Sequence, residues 1–537
     1  MTDLSVEARL VKQARSECSG GKPSDGSDVQ YKRLAQAPNG RSTWCCRGIL
    51  LCILIAQGVL SLRLSNTAFE DEALYLYAGH LNLDHLLSNA PYHEEFTKYF
   101  SGSPLLYPVF AALIDSVCGL AGARAFSLAV MLGATALLYL QSRRLFDMRA
   151  ALYASAIFSV SQSTLTLGNL ATYDATVIFL LALATWIVVR SADSRRPLFC
   201  LCAAPVLALA VAVKYAALMY LPVVLLIAGL IVFQHRGRRL SILHGLLLPA
   251  ATGSILFFAL QAASASYVQG LKRTTTEREQ GSASLIDLLS YSAVWGGLTV
   301  ALALIGVILY TREGLREECM SRPIFKNSAL LCRLVLSLTL TSAAILAPLY
   351  QMYLHTETSL HKHIGYGLLF AAPVAGVAVS RLTGARFRYP FFGISVLVCL
   401  LVMGVSQAQA RFDSWPDSSG LVKFLKPSIK KNGHYLLENR WPITYYFRKD
   451  AEPQQWISTN YFIYADHGGV SHRDDDAYEA AIRDRYFDIV VLTYTTTKVR
   501  SEKITKLLKT SNSYRTIDHN SRHGALLEKT YQIWVRR

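Results

Sequence analysis

Apolar runs roughly the length of a membrane-crossing helix recur down this chain, and short loops separate them. About 20 apolar residues in a helix match the ~30 Å hydrocarbon core of a bilayer. Runs of that kind fall near 47–64, 120–140, 151–167, 175–189, 198–213, 216–233, 243–262, 288–310, 329–350, 364–379 and 391–405. The expectation is an α-helical polytopic membrane protein with about 11 transmembrane helices. A half-length apolar piece, 104–117, precedes the second run and reads as a re-entrant or interfacial helix. Composition agrees. Hydrophobic residues make up 52% and charged residues 17%, where soluble domains carry about 25% charge. A mainly disordered chain, a coiled coil and a single soluble enzyme are excluded.

The charge balance adds topology. Lys+Arg 54 minus Asp+Glu 37 gives a net +17. Much of the excess sits in alternate loops: QSRRLFDMR (141–149), RSADSRRP (190–197), QHRGRRLS (234–241), TREGLREECMSRPIFK (311–326) and RLTGARFR (381–388). These share one side of the membrane if the span count is right, and the positive-inside rule makes that side cytoplasmic. A nucleic-acid binder would instead gather its basic residues on one folded face. Residues 1–46 then form a disordered cytoplasmic tail, polar and without periodicity. Residues 47–410 form the membrane domain. Residues 411–537 lie outside.

That last region is long enough for a small domain. FDIVVLTY (487–494) is a β-branched strand run, and 525–535 alternates in part. Stretches 475–485 and 501–510 look helical. A small extracytoplasmic α/β domain is expected. None of the ten cysteines lies beyond Cys399, so no disulfide framework supports it.

The unusual residues fall in the loops placed outside. Glu70, Asp71 and Glu72 are consecutive carboxylates just after the first span. Clustered acids raise one another's pKa, which suits a general base; a solvated acidic loop is the bland reading. The stretch after them, to Leu87, reads as an amphipathic helix lying on the bilayer surface. Asp174 stands at the outer start of a span, where a charge usually faces the protein interior. Lys214 lies between two apolar runs, as a binding cation or as a snorkelling anchor. His361, Lys362 and His363 precede another span and suit either an anion clamp or interfacial polarity. A metal centre is disfavoured there, because neighbours in sequence rarely share a helical face. A base together with cations for a phosphate is the inventory for moving a group from a phosphate-linked donor to a hydroxyl.

At these residues the chain resembles the GT-C superfamily of polytopic glycosyltransferases, in particular bacterial proteins like the protein O-mannosyltransferases and lipid A aminoarabinose transferases. The carriers are FEDEALY (69–75), SPLLYP (103–108), RRLFDMRAALYASA (143–156), ATYDA (171–175) and VKY (213–215). The resemblance covers roughly residues 47–405. It implies an inverting transfer from a polyprenyl-phosphate sugar to a hydroxyl of a cell-envelope glycan, lipid or protein. By that likeness Asp71 is the general base, Glu72 assists or orients, and Glu70 competes for the base role. Asp174 lines the cavity, and Lys214 contacts the donor phosphate. Ser103 stands where family members often have a basic residue, with Lys98 nearby as a replacement. His361, Lys362 and His363 are the reserve clamp. No cofactor is assigned, and a divalent metal stays open.

Two other classes compete. A transporter or flippase would carry its site at midmembrane in broken helices, often within inverted repeats; the chain shows no repeat. A non-catalytic scaffold that binds envelope polymer would tolerate loss of the Asp71 carboxylate.

Overall fold

The computed structural model describes residues 40–91, 96–98, 100–192, 197–236, 238–320, 326–384, 387–517 and 531–537. The tail expected to be disordered falls almost wholly outside these residues. The chain divides into a short unit ending at Ile49 and a large one, Leu50–Arg537. The described part of the first is the start of helix α1 (Gly40–Leu62).

Among the described residues nine helices are long and apolar enough to cross a membrane, and Leu198–Val213 is a shorter apolar piece. The expected count of about 11 differs for identifiable reasons. Stretch 151–167 is not one span. It forms α4 (Met148–Ser159) and α5 (Gln162–Leu167), broken at Ser161, whose side chain accepts from the Thr164 N–H. A serine that caps the next helix offers the backbone an alternative to continuing the first. Conversely, the half-length piece and the second span join. After α2 (Glu70–Ser88) comes α3 (Tyr107–Leu145), 39 residues long and kinked at Gly119. Gly119 takes φ 65°, a conformation that side chains resist. At about 1.5 Å per residue α3 runs ~58 Å, far beyond one bilayer core.

Helix α2 corrects a second expectation. Glu72 through Gly79 are all buried, so its first half is enclosed all round and is not a surface helix with one apolar face. It packs on α3 and on the C-terminal domain. The remaining bundle is α6 (Tyr173–Ser191), α7 (Ala203–Val213), α8 (Leu221–Arg236), α9 (Arg238–Gln261), the short α10 (Ala265–Thr274), α11 (Leu285–Ser292), α12 (Leu298–Met320), α13 (Lys326–Tyr353), α14 (Leu360–Leu382) and α15 (Pro390–Asp413). Helix α14 is the axis. Every residue from Leu360 to Ser380 is buried, against α4, α12 and α13. At its C-terminal end Arg381 pairs with Asp147 (2.5 Å) and Glu313 (3.1 Å). Three of the basic loops therefore meet there, and His361–His363 lie at the other end, some 30 Å away by helix rise.

The C-terminal region folds as the expected small α/β domain. Its strands are β1 (Tyr435–Leu437), β2 (Trp456–Ser458), β3 (Ile463–Ala465), β4 (Ser471–Arg473), β5 (Ile489–Leu492), β6 (Tyr514–Thr516) and β7 (Gln532–Arg536). The main sheet has order β2-β1-β5-β7-β6, and β3–β4 form a separate hairpin. Strands β2, β1 and β5 are parallel; β5–β7 and β7–β6 are antiparallel. Alternation sends Leu436, Val490 and Trp534 to one face, under α18 (Asp474–Arg483) and α19 (Lys498–Thr510). It sends Tyr435, Leu437, Ile489 and Ile533 to the other, under α16 (Ser419–Leu425) and α17 (Arg440–Tyr446).

Glu438, just past β1, closes the loop after β5 by accepting from the backbone N–H groups of Thr493, Tyr494, Thr496 and Thr497 at 2.6–2.9 Å. Burial alone would raise this carboxyl; the N–H donors hold it below the usual range. Its stabilisation is therefore complete above the unfolded carboxyl value, about pH 4.3, and fades as pH falls through the lower native value. Glu438→Ala leaves four donors without an acceptor and is expected to cost on the order of 3 kcal/mol. Amide exchange across residues 493–497 of the full chain should then rise by about 100-fold; unchanged exchange would refute the contact.

The domain is tied down on Asp115 of α3. Tyr445 donates to its Oδ1 (2.6 Å), and His80 (2.6 Å) and Arg448 (3.2 Å) reach its Oδ2. Ala68 donates its N–H to the Tyr446 hydroxyl (2.9 Å).

Candidate active site

The three consecutive acids do three different things. Glu72 is a fastener. Its Oε2 accepts from the Phe69 N–H (2.9 Å) and Arg124 Nη2 (2.7 Å), and its Oε1 from Arg124 Nε (2.9 Å) and the Ala171 N–H (2.7 Å). Arg124 spends its other donors on the carbonyls of Asn66 (2.9 Å) and Thr67 (3.2 Å). The start of α2, the body of α3 and the loop before α6 are thereby held together. With four donors on its two oxygens, Glu72 has little capacity left for a substrate proton.

Asp71, one position earlier, turns about 100° away on the helix and forms an ion pair with Lys362 of α14. Lys362 is 2% exposed, whereas the Asp71 side chain is 32% exposed, so the carboxylate faces open space and the ammonium supports it from behind. Glu70 makes no hydrogen bond among the described residues. Its carboxyl is pushed up to about 7 by burial and then by Asp71, with Lys362 opposing.

The second pair lies within electrostatic reach of the first. Asp174, in the first turn of α6, is fully buried and pairs with Lys214. Tyr366 of α14 donates to its Oδ1 (2.9 Å), and its Oδ2 has no hydrogen-bond partner among the described residues. Lys214 ends α7 in an extended conformation. It is 3% exposed, with its ammonium 4.7 Å from the centre of the Tyr173 ring. A buried, paired lysine is not a snorkelling anchor. Backbone contacts fix its place: the Ser103 N–H donates to the Ala212 carbonyl (2.9 Å) and the Tyr215 N–H to the Ser101 carbonyl (2.8 Å). Gly102 lies between them, and a Cβ there would come 1.9 Å from the Val213 carbonyl oxygen. The segment Ser101–Ser103, which leads into SPLLYP, thus holds the lysine in place.

The triplet His361-Lys362-His363 does not converge on one point. His361 meets the Trp295 ring edge at 6.1 Å. Lys362 reaches Asp71, and His363 contacts Gln351 (Nε2···Nδ1 3.2 Å). Three successive helix positions diverge by about 100° each, so only Lys362 stands opposite the acid cluster. The side chain of Lys98 lies outside the described residues. Several residues at the site went unnoticed in the sequence. Arg124 is a lone arginine within an apolar run, a signal that was available. Tyr366, Gln351 and Arg411 had none; Arg411 sits 5.8 Å from the Phe69 ring, near Asp71.

Among the described residues no three His, Cys, Asp or Glu side chains converge as a set that could hold a metal ion. The cation partners of Asp71 and Asp174 are ammonium groups.

Residues 103–262 match the sequence pattern of the dolichyl-phosphate-mannose-protein mannosyltransferase family. Among solved structures, ArnT from Cupriavidus metallidurans in the apo state superposes with a TM-score of 0.58, at 13% identity over 92% of this chain and 98% of that one. The same protein bound to undecaprenyl phosphate gives 0.54, at 12% identity over 93% and 98%. The Archaeoglobus fulgidus oligosaccharyltransferase in the apo form gives 0.49, at 11% identity over 87% and 73%. A search of curated protein sequences finds no match.

Proposed function

We propose that this chain, which has the GT-C glycosyltransferase fold, is a membrane glycosyltransferase that moves a sugar from a polyprenyl-phosphate donor to an acceptor hydroxyl outside the cytoplasm. The observation that carries the reading is the juxtaposition of two carboxylate–ammonium pairs, Asp71–Lys362 and Asp174–Lys214, at one end of α14. ArnT, whose fold this chain shares, binds undecaprenyl phosphate, and a lipid phosphate is the ligand that two buried ammonium groups suit.

In this mechanism the acceptor oxygen attacks the anomeric carbon from the side opposite the phosphate. Its proton passes to the exposed Asp71 carboxylate. The bond from the anomeric carbon to the phosphate oxygen breaks, its electron pair stays on that oxygen, and the configuration inverts. Lys214 and Lys362 stabilise the charge that develops there. Asp174 orients Lys214, and Glu72 holds the frame.

Lys214→Ala removes a charged partner from a desolvated phosphate, at about 1.5–3 kcal/mol. Polyprenyl phosphate should then bind roughly 10- to 150-fold more weakly to the purified protein, and Lys214→Arg should keep part of the affinity. If Lys214→Ala binds as wild type while His361→Ala or Lys362→Ala does not, the clamp belongs to the start of α14. The orientation has its own test. Ser471, exposed on the outer domain, should react as Ser471→Cys with an impermeant maleimide in intact cells, above the wild-type background. Labelling only after permeabilisation would put every site residue on the wrong side.

A further inference from the structure

The last turn of α13 and the first turn of α14 carry a hydrogen-bond relay that ends in an unused donor. Gln351 is fully buried. Its Nε2 lies 2.9 Å from the Thr358 carbonyl oxygen and 3.2 Å from His363 Nδ1. The Thr358 carbonyl can only accept, so that terminal atom of Gln351 must be the NH2 group. Its second hydrogen then points at His363 Nδ1, which must accept with its lone pair. A neutral imidazole that accepts at Nδ1 carries its proton at Nε2. His363 is 4% exposed, and its Nε2 has no hydrogen-bond partner among the described residues. The chain thus buries an N–H donor and leaves it unsatisfied, at a cost that calls for an occupant.

The surroundings indicate which occupant. The charged groups that act most strongly on the ring, among the described residues, are Lys214 from the end of α7, Asp174 from α6, Arg278 from the segment after α10, and Lys362 on its own helix. Cations outnumber the one acid, and Asp174 is already paired with Lys214. A protonated imidazole would be repelled by these cations; a neutral one adds a directional donor without adding charge. We infer that Gln351 is a positioning residue that locks His363 in the Nε2–H tautomer, so that His363 donates an uncharged hydrogen bond to a phosphate oxygen of the bound donor lipid. This rests on the lipid-phosphate reading above and assigns a separate part of that site.

The test is binding of undecaprenyl phosphate to the purified full-length protein in nanodiscs, between pH 6 and 8.5. Each affinity is taken as a ratio to wild type at the same pH, which cancels the titration of the phosphate itself near pH 6. His363→Phe should bind about 10- to 150-fold more weakly. His363→Gln, whose amide reaches close to the Nε2 position, should recover most of that loss. Gln351→Glu is the decisive variant. Its carboxylate can only accept, so it would draw the ring into the Nδ1–H tautomer, with Nδ1–H donating to the carboxylate, and turn the Nε2 lone pair toward the phosphate. Binding should fall about tenfold at high pH and recover toward wild type at low pH, as the ring takes a second proton and regains its Nε2–H. Gln351→Met, which frees the tautomer, should lose affinity without that recovery. A pH-independent ratio for Gln351→Glu, or wild-type affinity in His363→Phe while Lys214→Ala is impaired, would overturn this inference alone. No binding by wild type, or full affinity in both Lys214→Ala and His363→Phe, would overturn the lipid-phosphate reading together with it.

Discussion

Asp71→Asn is expected to lower sugar transfer by roughly 100- to 10,000-fold, the usual contribution of a general base. Binding of polyprenyl phosphate should hold or improve, because Lys362 loses its internal partner and becomes available to the phosphate. The measurement is release of polyprenyl phosphate from the native lipid-linked sugar pool by the purified variant. A loss below about tenfold would move the base role to Glu70. That alternative has its own signature. With its carboxyl raised to about 7 by burial and then by Asp71, Glu70 as base would make the wild-type rate rise as pH passes through neutrality, and Asp71→Asn, which removes one of the two charges acting on it, would move that rise to lower pH. A scaffold protein would instead show no transfer to lose, and a transporter would move the lipid-linked sugar without cleaving it.

Arg124→Met carries the largest structural effect. It removes the guanidinium that makes two hydrogen bonds to the fully buried Glu72 carboxylate. Breaking a buried pair on one side costs about 3–5 kcal/mol, because the other charge stays uncompensated. The expected result is a clear fall in the unfolding temperature in detergent, together with loss of activity. Arg124→Lys should restore little of either, since a point charge cannot reproduce the fork that spans both carboxylate oxygens. Replacing both partners, as Glu72→Gln with Arg124→Met, should cost less than the single change. A variant Arg124→Met as stable as wild type would mean that the α2–α3 junction is held by something else.

The spans were legible because apolar length is a strong signal and a bilayer admits few alternatives. The departures came from local backbone chemistry. Ser161, Gln162 and Ser163 are tolerable one by one in an apolar run, but Ser161 as a cap splits the helix. Gly119 allowed two apolar pieces to join across a kink. The buried first half of α2 differs from its expectation because its alternating Leu and polar residues suggest a water-facing side; here the C-terminal domain covers it, through Trp441 6.3 Å from Tyr77 and Tyr446 beside Ala68. At the site, Asp71, Asp174 and Lys214 stood out as charges at the ends of apolar runs. Their partners did not. Lys362 lies 291 residues from Asp71, and only the fold brings them together. The roles within Glu70-Asp71-Glu72 were also illegible, because they depend on which way each side chain leaves the helix. The buried relay through Gln351 has no sequence signature at all.

In the proposed reaction the two ammonium groups beside Asp71 and Asp174 hold the phosphate of a lipid-linked donor. An experimental structure of the protein in nanodiscs with undecaprenyl phosphate tests it most directly. The expected result is phosphate density within hydrogen-bond distance of Lys214 Nζ or Lys362 Nζ, with the Asp71 carboxylate facing the space where the sugar would sit. Phosphate density at the other end of α14, near Arg381, or anywhere out of reach of both lysines, would contradict it.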